Sequence, residues 1–290
     1  MNAASLAALT LTPRTIAPSA WWEHVPTAHW LIATLQPTTV VELGSHHGVS
    51  FFAFCEAAQA FSPATFVYAV DSWQGDAHAG LYGEPVYARV RAQQQQQHSQ
   101  RSRLVRSDFD AAAGHFGEAS IDLLHIDGLH TLEAVRHDWQ TWRPKLKDGG
   151  TVLLHDTNVR ERDFGVWQLW RELSADPALS CLEIRHGHGL GIVTLAPSPP
   201  GWHGDLRQVL PALAARGALL DELASLKPQG HEGSENARPY REQAEELWHA
   251  LQQLRQEHAQ LQTRLQEQGG SGRRWRRALR RLRPAGGESR

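Results

Sequence analysis

From Thr39 to Leu195 the chain alternates between short apolar runs of strand length and longer segments with apolar residues at helical spacing. That alternation constrains the fold more than any other feature. Thr39 to Leu43, Thr65 to Val70, Arg103 to Arg106, Ile121 to Ile126 and Thr151 to Leu154 read as strands, with Leu182 to Ile184 and Leu190 to Leu195 as a closing pair. Helices are predicted over Ser50 to Ala60, Glu84 to Gln97, Leu132 to Trp142 and Phe164 to Leu173. Thr131 is a candidate N-cap for the third of these, which carries Leu132, Val135, Trp139 and Trp142 at helical spacing. The pattern implies an α/β, Rossmann-like, doubly wound and mostly parallel seven-stranded sheet, with crossovers on both faces.

The ends of these strands carry acids. The first ends in VVELGSHHGVS, where Glu42, Gly44 and Gly48 form an E-x-G-x-x-x-G pattern before a helix. Glycine at such a turn lets backbone approach a ligand closely, and a plain structural turn fits the same residues. The dinucleotide fingerprint G-x-G-x-x-G is missing, which disfavours an NAD-dependent oxidoreductase. Asp71 closes the second strand, where a carboxylate can accept hydrogen bonds from two vicinal ribose hydroxyls. Asp108 follows the third strand, Asp127 is read as the last residue of the fourth, and Asp156 follows the fifth. Each acid alone could cap a helix. Gathered on one sheet edge, so many carboxylates would need hydroxyls, donors or a cation to satisfy them.

Outside this region the chain changes character. Residues 1–36 are expected to be a leader followed by a helix around Trp21 to Leu35, and 37–196 the α/β domain. Residues 197–235 read as a linker, PSPPGW, with a short helix from Leu206 to Leu226. Tyr240, Ala244, Leu247, Leu251, Leu254, His258, Leu261 and Leu265 keep four-three spacing, which predicts a coiled coil over 236–268 and a homo-oligomer. A lone solvated helix is the alternative. In 269–290, Trp275, Ala278, Leu279 and Leu282 share a helical face opposite arginines. A basic amphipathic tail of this kind suits an anionic membrane surface, and a disordered basic tail is the alternative.

Formal net charge is −2, but seven arginines and no acids lie between Arg273 and Arg283, so the rest of the chain is acidic. Nucleic-acid binding is disfavoured accordingly. Cys55 and Cys181 form no CxxC pair, and no basic-then-apolar leader or long apolar run occurs. The expected setting is cytoplasmic, peripheral at the inner membrane face if the tail binds it.

VVELGSHHG, VYAVDSWQGDAHAGLYGE, SIDLLHIDGLHTLEAVRHDWQTW, PKLKDGGTVLLHDTNVRERDFGVWQLW and HGHGLGIV together resemble the class I S-adenosylmethionine-dependent methyltransferases. The resemblance extends over about residues 38–195. It is nearest to the branch associated with surface glycans and glycosyltransferases, related to the macrocin and catechol O-methyltransferases. It implies that Glu42, Gly44 and Gly48, with Ser45, lie beside the methionine and ribose of the cofactor. Asp71, with Ser72, would bind the ribose, Asp108 would lie near adenine, and Asp127 would border the same cofactor site. Metal-dependent relatives imply Mg2+ held by Asp127 and Asp156, with Asn158 as the third ligand. His130 falls where the catechol enzymes carry their catalytic lysine, so the resemblance makes it, with Asp127, the catalytic pair. Orienting the loop is its alternative role.

The loop SWQGDAHAGLYGE, with Trp73, Asp76, His78 and Tyr82, has the composition to cover an acceptor such as a sugar hydroxyl. The expected activity is O-methylation of a glycan, glycolipid or related small molecule. The rival is a noncatalytic scaffold acting through its helical tail.

Overall fold

The computed structural model describes residues 2–14 and 16–226. The heptad segment 236–268 and the basic segment 269–290 lie outside the described residues. Seven strands form one sheet: β1 (Thr39–Leu43), β2 (Phe66–Asp71), β3 (Ser102–Arg106), β4 (Ile121–Ile126), β5 (Leu146–His155), β6 (Ser180–Ile184) and β7 (Leu190–Thr194). Their spatial order is β3-β2-β1-β4-β5-β7-β6. Pairings from β3 through β5 are parallel, and β7 runs antiparallel to both β5 and β6. The order reverses between β1 and β4, and a crevice opens there at the carboxyl ends of the strands.

β1, β4 and the second half of β5 are buried on both faces, which explains their nearly continuous apolar runs, whereas the edge strand β3 exposes Arg103 and Arg106. Side chains alternate between two cores, with Val40, Leu123, Leu153 and Ile192 in one and Val41, Leu124, Leu154 and Val193 in the other. Helices α2 (Val25–Leu35) and α3 (Val49–Phe61) fill the first core with Trp30, Leu31, Phe51 and Phe54. Helices α6 (Leu132–Trp142) and α7 (Val166–Ser174) fill the second with Trp139, Trp142, Leu169 and Trp170. α4 (Glu84–Gln97) precedes β3, and α5 (Phe109–Ala113), a helix that local sequence did not predict, follows it. Thr131 caps α6 as expected, its side chain accepting from the Ala134 N–H at 3.2 Å.

Three expectations need correction. β4 stops at Ile126, so Asp127 opens the following loop instead of ending the strand. β5 begins at Leu146 and runs through the Asp-Gly-Gly turn, where Gly149 takes φ +72°. The segment read as a linker and short helix contains α8 (Gly201–Leu226), whose Leu206, Val209, Leu213 and Leu220 are buried in the first core. Burial of that apolar stripe makes α8 part of the α/β unit, since leaving it in water would forfeit roughly 1.5–3 kcal/mol per large side chain.

α8 also fixes the beginning of the chain. After α1 (Ala3–Ala8), the Arg216 guanidinium donates to the carbonyls of Thr10 and Leu11 at 3.1 and 3.0 Å. One residue on, Gly217 packs so closely against the Glu23 backbone that a Cβ there would overlap it. The strap thus held passes Trp21 and a single 3-10 turn (Trp22–His24) over the carboxyl edge of the sheet before α2 starts.

Candidate active site

The β1–α3 turn is built for close approach. Gly44 takes φ +85°, and a Cβ on it would run into the Asp127 carbonyl. Its N–H donates to the Val70 carbonyl at 2.9 Å, while the Asp127 N–H donates to the Leu43 carbonyl at 2.8 Å. β1, β2 and β4 are therefore stitched together where they end. Asp71 locks the turn from the next strand, its carboxylate accepting from the N–H groups of Ser45 (2.8 Å), His46 (2.9 Å) and Trp73 (2.6 Å). Such charge-assisted bonds to backbone fix both the loop and the acid.

Above this turn lies a cavity of about 390 Å³, within the range of small-molecule sites. Gly44, Ser45, Asp71, Ser72, Asp108, Asp127, His130 and Asp156 line it. Eight of the sequence-predicted residues thus meet at one opening, although they come from five strand ends. Gly48 stands apart at the start of α3, where φ +80° suits it to the turn. Asp108 lines the wall, but one carboxylate oxygen caps α5 by accepting from the Ala111 N–H at 2.7 Å.

Glu42 does not reach the cavity. It is fully buried, and its carboxylate pairs with Nδ1 of His125 at 3.1 Å. The indole N–H of Trp21 donates to Nε2 of the same histidine at 3.2 Å. Glu42 and His125 sit opposite each other in the β1–β4 register, which is what brings them together. Glu42, expected beside the cofactor, is instead outside the cavity lining and held by His125.

The reacting end gathers Asp127, His130 and Asp156. Nε2 of His130 lies 2.9 Å from Oδ2 of Asp156 and 3.3 Å from Oδ1 of Asp127. Two further imidazoles hold the same acids: His155 Nδ1 is 3.1 Å from Asp127 Oδ1, and His188 Nδ1 is 3.2 Å from Asp156 Oδ1. Burial disfavours charge on His130, yet its hydrogen bonds to Asp127 and Asp156 raise its pKa to about 10. Burial likewise opposes ionisation of both acids, but the charge of His155 and the His130 hydrogen bond hold them below the usual carboxylate range.

Asp127, His130 and Asp156 each offer a ligand atom within 4.8 Å of the others, so they suit a divalent cation. Asn158 does not join them. Its amide donates to the Arg185 carbonyl at 2.7 Å, because Asp156 takes φ +63° and the chain turns away beyond it.

The 74–82 loop folds over this end as a two-stranded ribbon, Gly75–Asp76 against Gly80–Leu81. The His78 ring stacks on Phe164 (4.3 Å), which stacks in turn on His130 (4.8 Å). Tyr82 stacks on His46 at 4.2 Å. Trp73 is not an acceptor-facing residue: it is fully buried and donates its indole N–H to the His46 carbonyl at 3.0 Å. Sequence reasoning missed Trp21, His125 and His188. Trp21 and His188 come from segments with no strand-end signal, and His125 was hidden in an apolar run.

A protein of Sinorhizobium fredii (strain NBRC 101917 / NGR234), itself described as uncharacterised, is 48% identical over 175 residues. The match takes in 60% of this chain but 19% of that protein, so the chain spans about a fifth of its relative's length. Among solved structures, a Podospora anserina methyltransferase bound to S-adenosylhomocysteine is 14% identical. The alignment covers 65% of this chain and 92% of that one, with a TM-score of 0.47. The O-methyltransferase TomG of Streptomyces achromogenes, involved in tomaymycin synthesis and solved with S-adenosylmethionine, is also 14% identical, with coverages of 68% and 91% and a TM-score of 0.46. Residues 41–157, which run from within β1 to just beyond Asp156 and so include every cavity-lining acid, match the family model described as a methyltransferase domain.

Proposed function

We propose that the chain is an S-adenosylmethionine-dependent O-methyltransferase acting on a hydroxyl of a glycan, glycolipid or related small molecule. The observation that carries this reading is the cavity at the carboxyl ends of β1, β2 and β4, whose lining, apart from Pro18 to Trp21, comes from the matched methyltransferase stretch. The bound cofactor would supply an electrophilic methyl group. Gly44 lets its methionine end approach the backbone, and Ser45, Asp71, Ser72 and Asp108 present polar groups to its ribose and adenine. Asp71 reaches that task already oriented by three backbone donors.

The acceptor oxygen is placed between this methyl position and the cluster of Asp127, His130 and Asp156. With the methyl group supplied by the bound cofactor, the acceptor's hydroxyl proton would pass to one of the ionised carboxylates of Asp127 and Asp156, since His130 holds its own proton in the metal-free cluster. A divalent cation such as Mg2+ at Asp127 and Asp156 would lower the cost of that deprotonation electrostatically. Asp76, His78 and Tyr82 on the ribbon form the acceptor's cover. An aromatic ring beside hydrogen-bonding side chains supports a sugar-like acceptor.

The heptad segment is proposed to oligomerise the chain, and the basic segment to bring it to an anionic membrane surface on the cytoplasmic side. Among the described residues no helix is long and apolar enough to cross a membrane. Calorimetric titration of the full chain with S-adenosylmethionine and, separately, with NAD tests the central reading. Saturable one-site heat with the first and none with the second is expected. Folded protein that gives no heat with S-adenosylmethionine would overturn it.

A further inference from the structure

We infer that Asp127, His130 and Asp156 bind one divalent transition-metal ion of the manganese or iron class, with Nε2 of His130 as the nitrogen ligand in the place that Asn158 does not fill. The inference rests on the proposed reaction only for what the ion does there, since binding itself is read without cofactor.

Ligand spacing is the first support. Two donors about 2.1 Å from one ion and at right angles stand about 3 Å apart. His130 Nε2 lies 2.9 Å from the Asp156 oxygen and 3.3 Å from the Asp127 oxygen, so the nitrogen already has the separation of a neighbouring ligand from each acid, and ligand atoms of all three residues lie within 4.8 Å of one another. A second support is the shell behind them. His155 and His188 each direct an imidazole nitrogen at one carboxylate, the arrangement by which outer groups orient metal-ligating acids. The His130 ring is itself aimed, because it lies nearly parallel to Phe164, 5° between planes.

The donor chemistry then selects the ion. Mg2+ favours an all-oxygen octahedron and dehydrates reluctantly, whereas imidazole nitrogen raises affinity for later divalent ions. A Lys or Arg between the two acids would have satisfied them as a permanent ion pair and offered no lone pair. Imidazole can satisfy them with a proton or hold a metal. Asp127 and His130 both border the cavity, which gives an ion a route in from solvent. With its Nε2 lone pair committed to the ion, His130 is a ligand and not the base that takes the acceptor's proton.

The test uses the full chain stripped with a chelator and titrated with Mn2+ in the absence of cofactor. One Mn2+ per chain is expected, with at least about tenfold preference over Mg2+. Pulsed electron paramagnetic resonance of the bound ion should show coupling to one imidazole nitrogen. His130→Gln and His130→Ala should each abolish that coupling and weaken Mn2+ binding about 100-fold. Asn158→Ala should change neither. Thermal melts identify which His130 variant is folded, and either one suffices. Absence of saturable Mn2+ binding means that the three side chains form only an internal ion pair, and that result overturns the inference. Bound Mn2+ without nitrogen coupling, or coupling that survives in a folded His130 variant, also overturns it. Titrating the metal-free chain with S-adenosylmethionine separates failure of this site from failure of the methyltransferase reading.

Discussion

Gly44 and Asp127 meet backbone to backbone across the β1–β4 pair, with a φ of +85° at the glycine and the Asp127 carbonyl where a Cβ would project. Any L side chain at 44 must therefore adopt an unfavourable φ and push Asp127 out of the cavity wall. Gly44→Ala should lower stability by about 1–3 kcal/mol and weaken S-adenosylmethionine binding at least tenfold. Denaturant melts and calorimetry measure the two effects, and unaltered binding in a folded variant would contradict the assignment of this turn.

Asp71 accepts three backbone N–H bonds while facing the cavity. Asp71→Asn keeps the shape, removes the charge and turns one acceptor into a donor that would confront N–H groups. Hydrogen bonds to a charged group are worth about 1.5–3 kcal/mol each. Cofactor affinity is expected to fall about 10- to 100-fold, read by calorimetry, with a smaller loss for Ser72→Ala.

Gly217 is far from the reacting groups in sequence, yet it touches the Glu23 backbone of the strap that carries Trp21. Gly217→Ala should displace that strap at a cost of about 1–3 kcal/mol for overpacking. Hydrogen exchange should rise at residues 17–25 before it rises in β1 or β4. Uniform exchange across the unit would count against local strap release.

The pH dependence of stability follows from opposing groups. His130, raised to about 10 in the fold, contributes stability that is complete below about pH 6.5 and is lost as pH rises towards 10. Asp127 and Asp156, lowered in the fold, contribute stability present above about pH 4 and lost as pH falls below it. His29, buried neutral with its pKa lowered to about 3, contributes in the other sense, losing its share as pH drops below about 6.5. Metal-free protein should be most stable near pH 6.5, and in His130→Gln the decline between pH 6.5 and 10 should flatten. Urea melts across that range measure it, and identical slopes in the two proteins would refute the linkage.

Much of the α/β unit was legible from local pattern. β1, α4 and α6 begin and end at the residues that strand and helix periodicity mark, and β4 ends one residue before the expected Asp127, because burial on alternate faces and an N-cap such as Thr131 act over a few residues. The strand-end acids were also legible, since parallel strands joined by helices place their carboxyl ends on one edge. Sequence by itself thus determined the alternating elements, the glycine turn and a row of acids on that edge.

Tertiary structure alone decided which groups touch. Glu42 withdraws to His125 because the β1–β4 register sets them opposite each other, 83 residues apart in the chain. Asn158 turns to the Arg185 carbonyl and leaves His130 between the two acids, as the left-handed backbone at Asp156 redirects the loop. α8 joins the core although a proline-rich stretch precedes it, because an apolar stripe is buried wherever a matching face exists. Periodicity reports the face on which a side chain lies. Only the register between distant strands and the dihedral angles of the loops beyond them determine what that side chain meets.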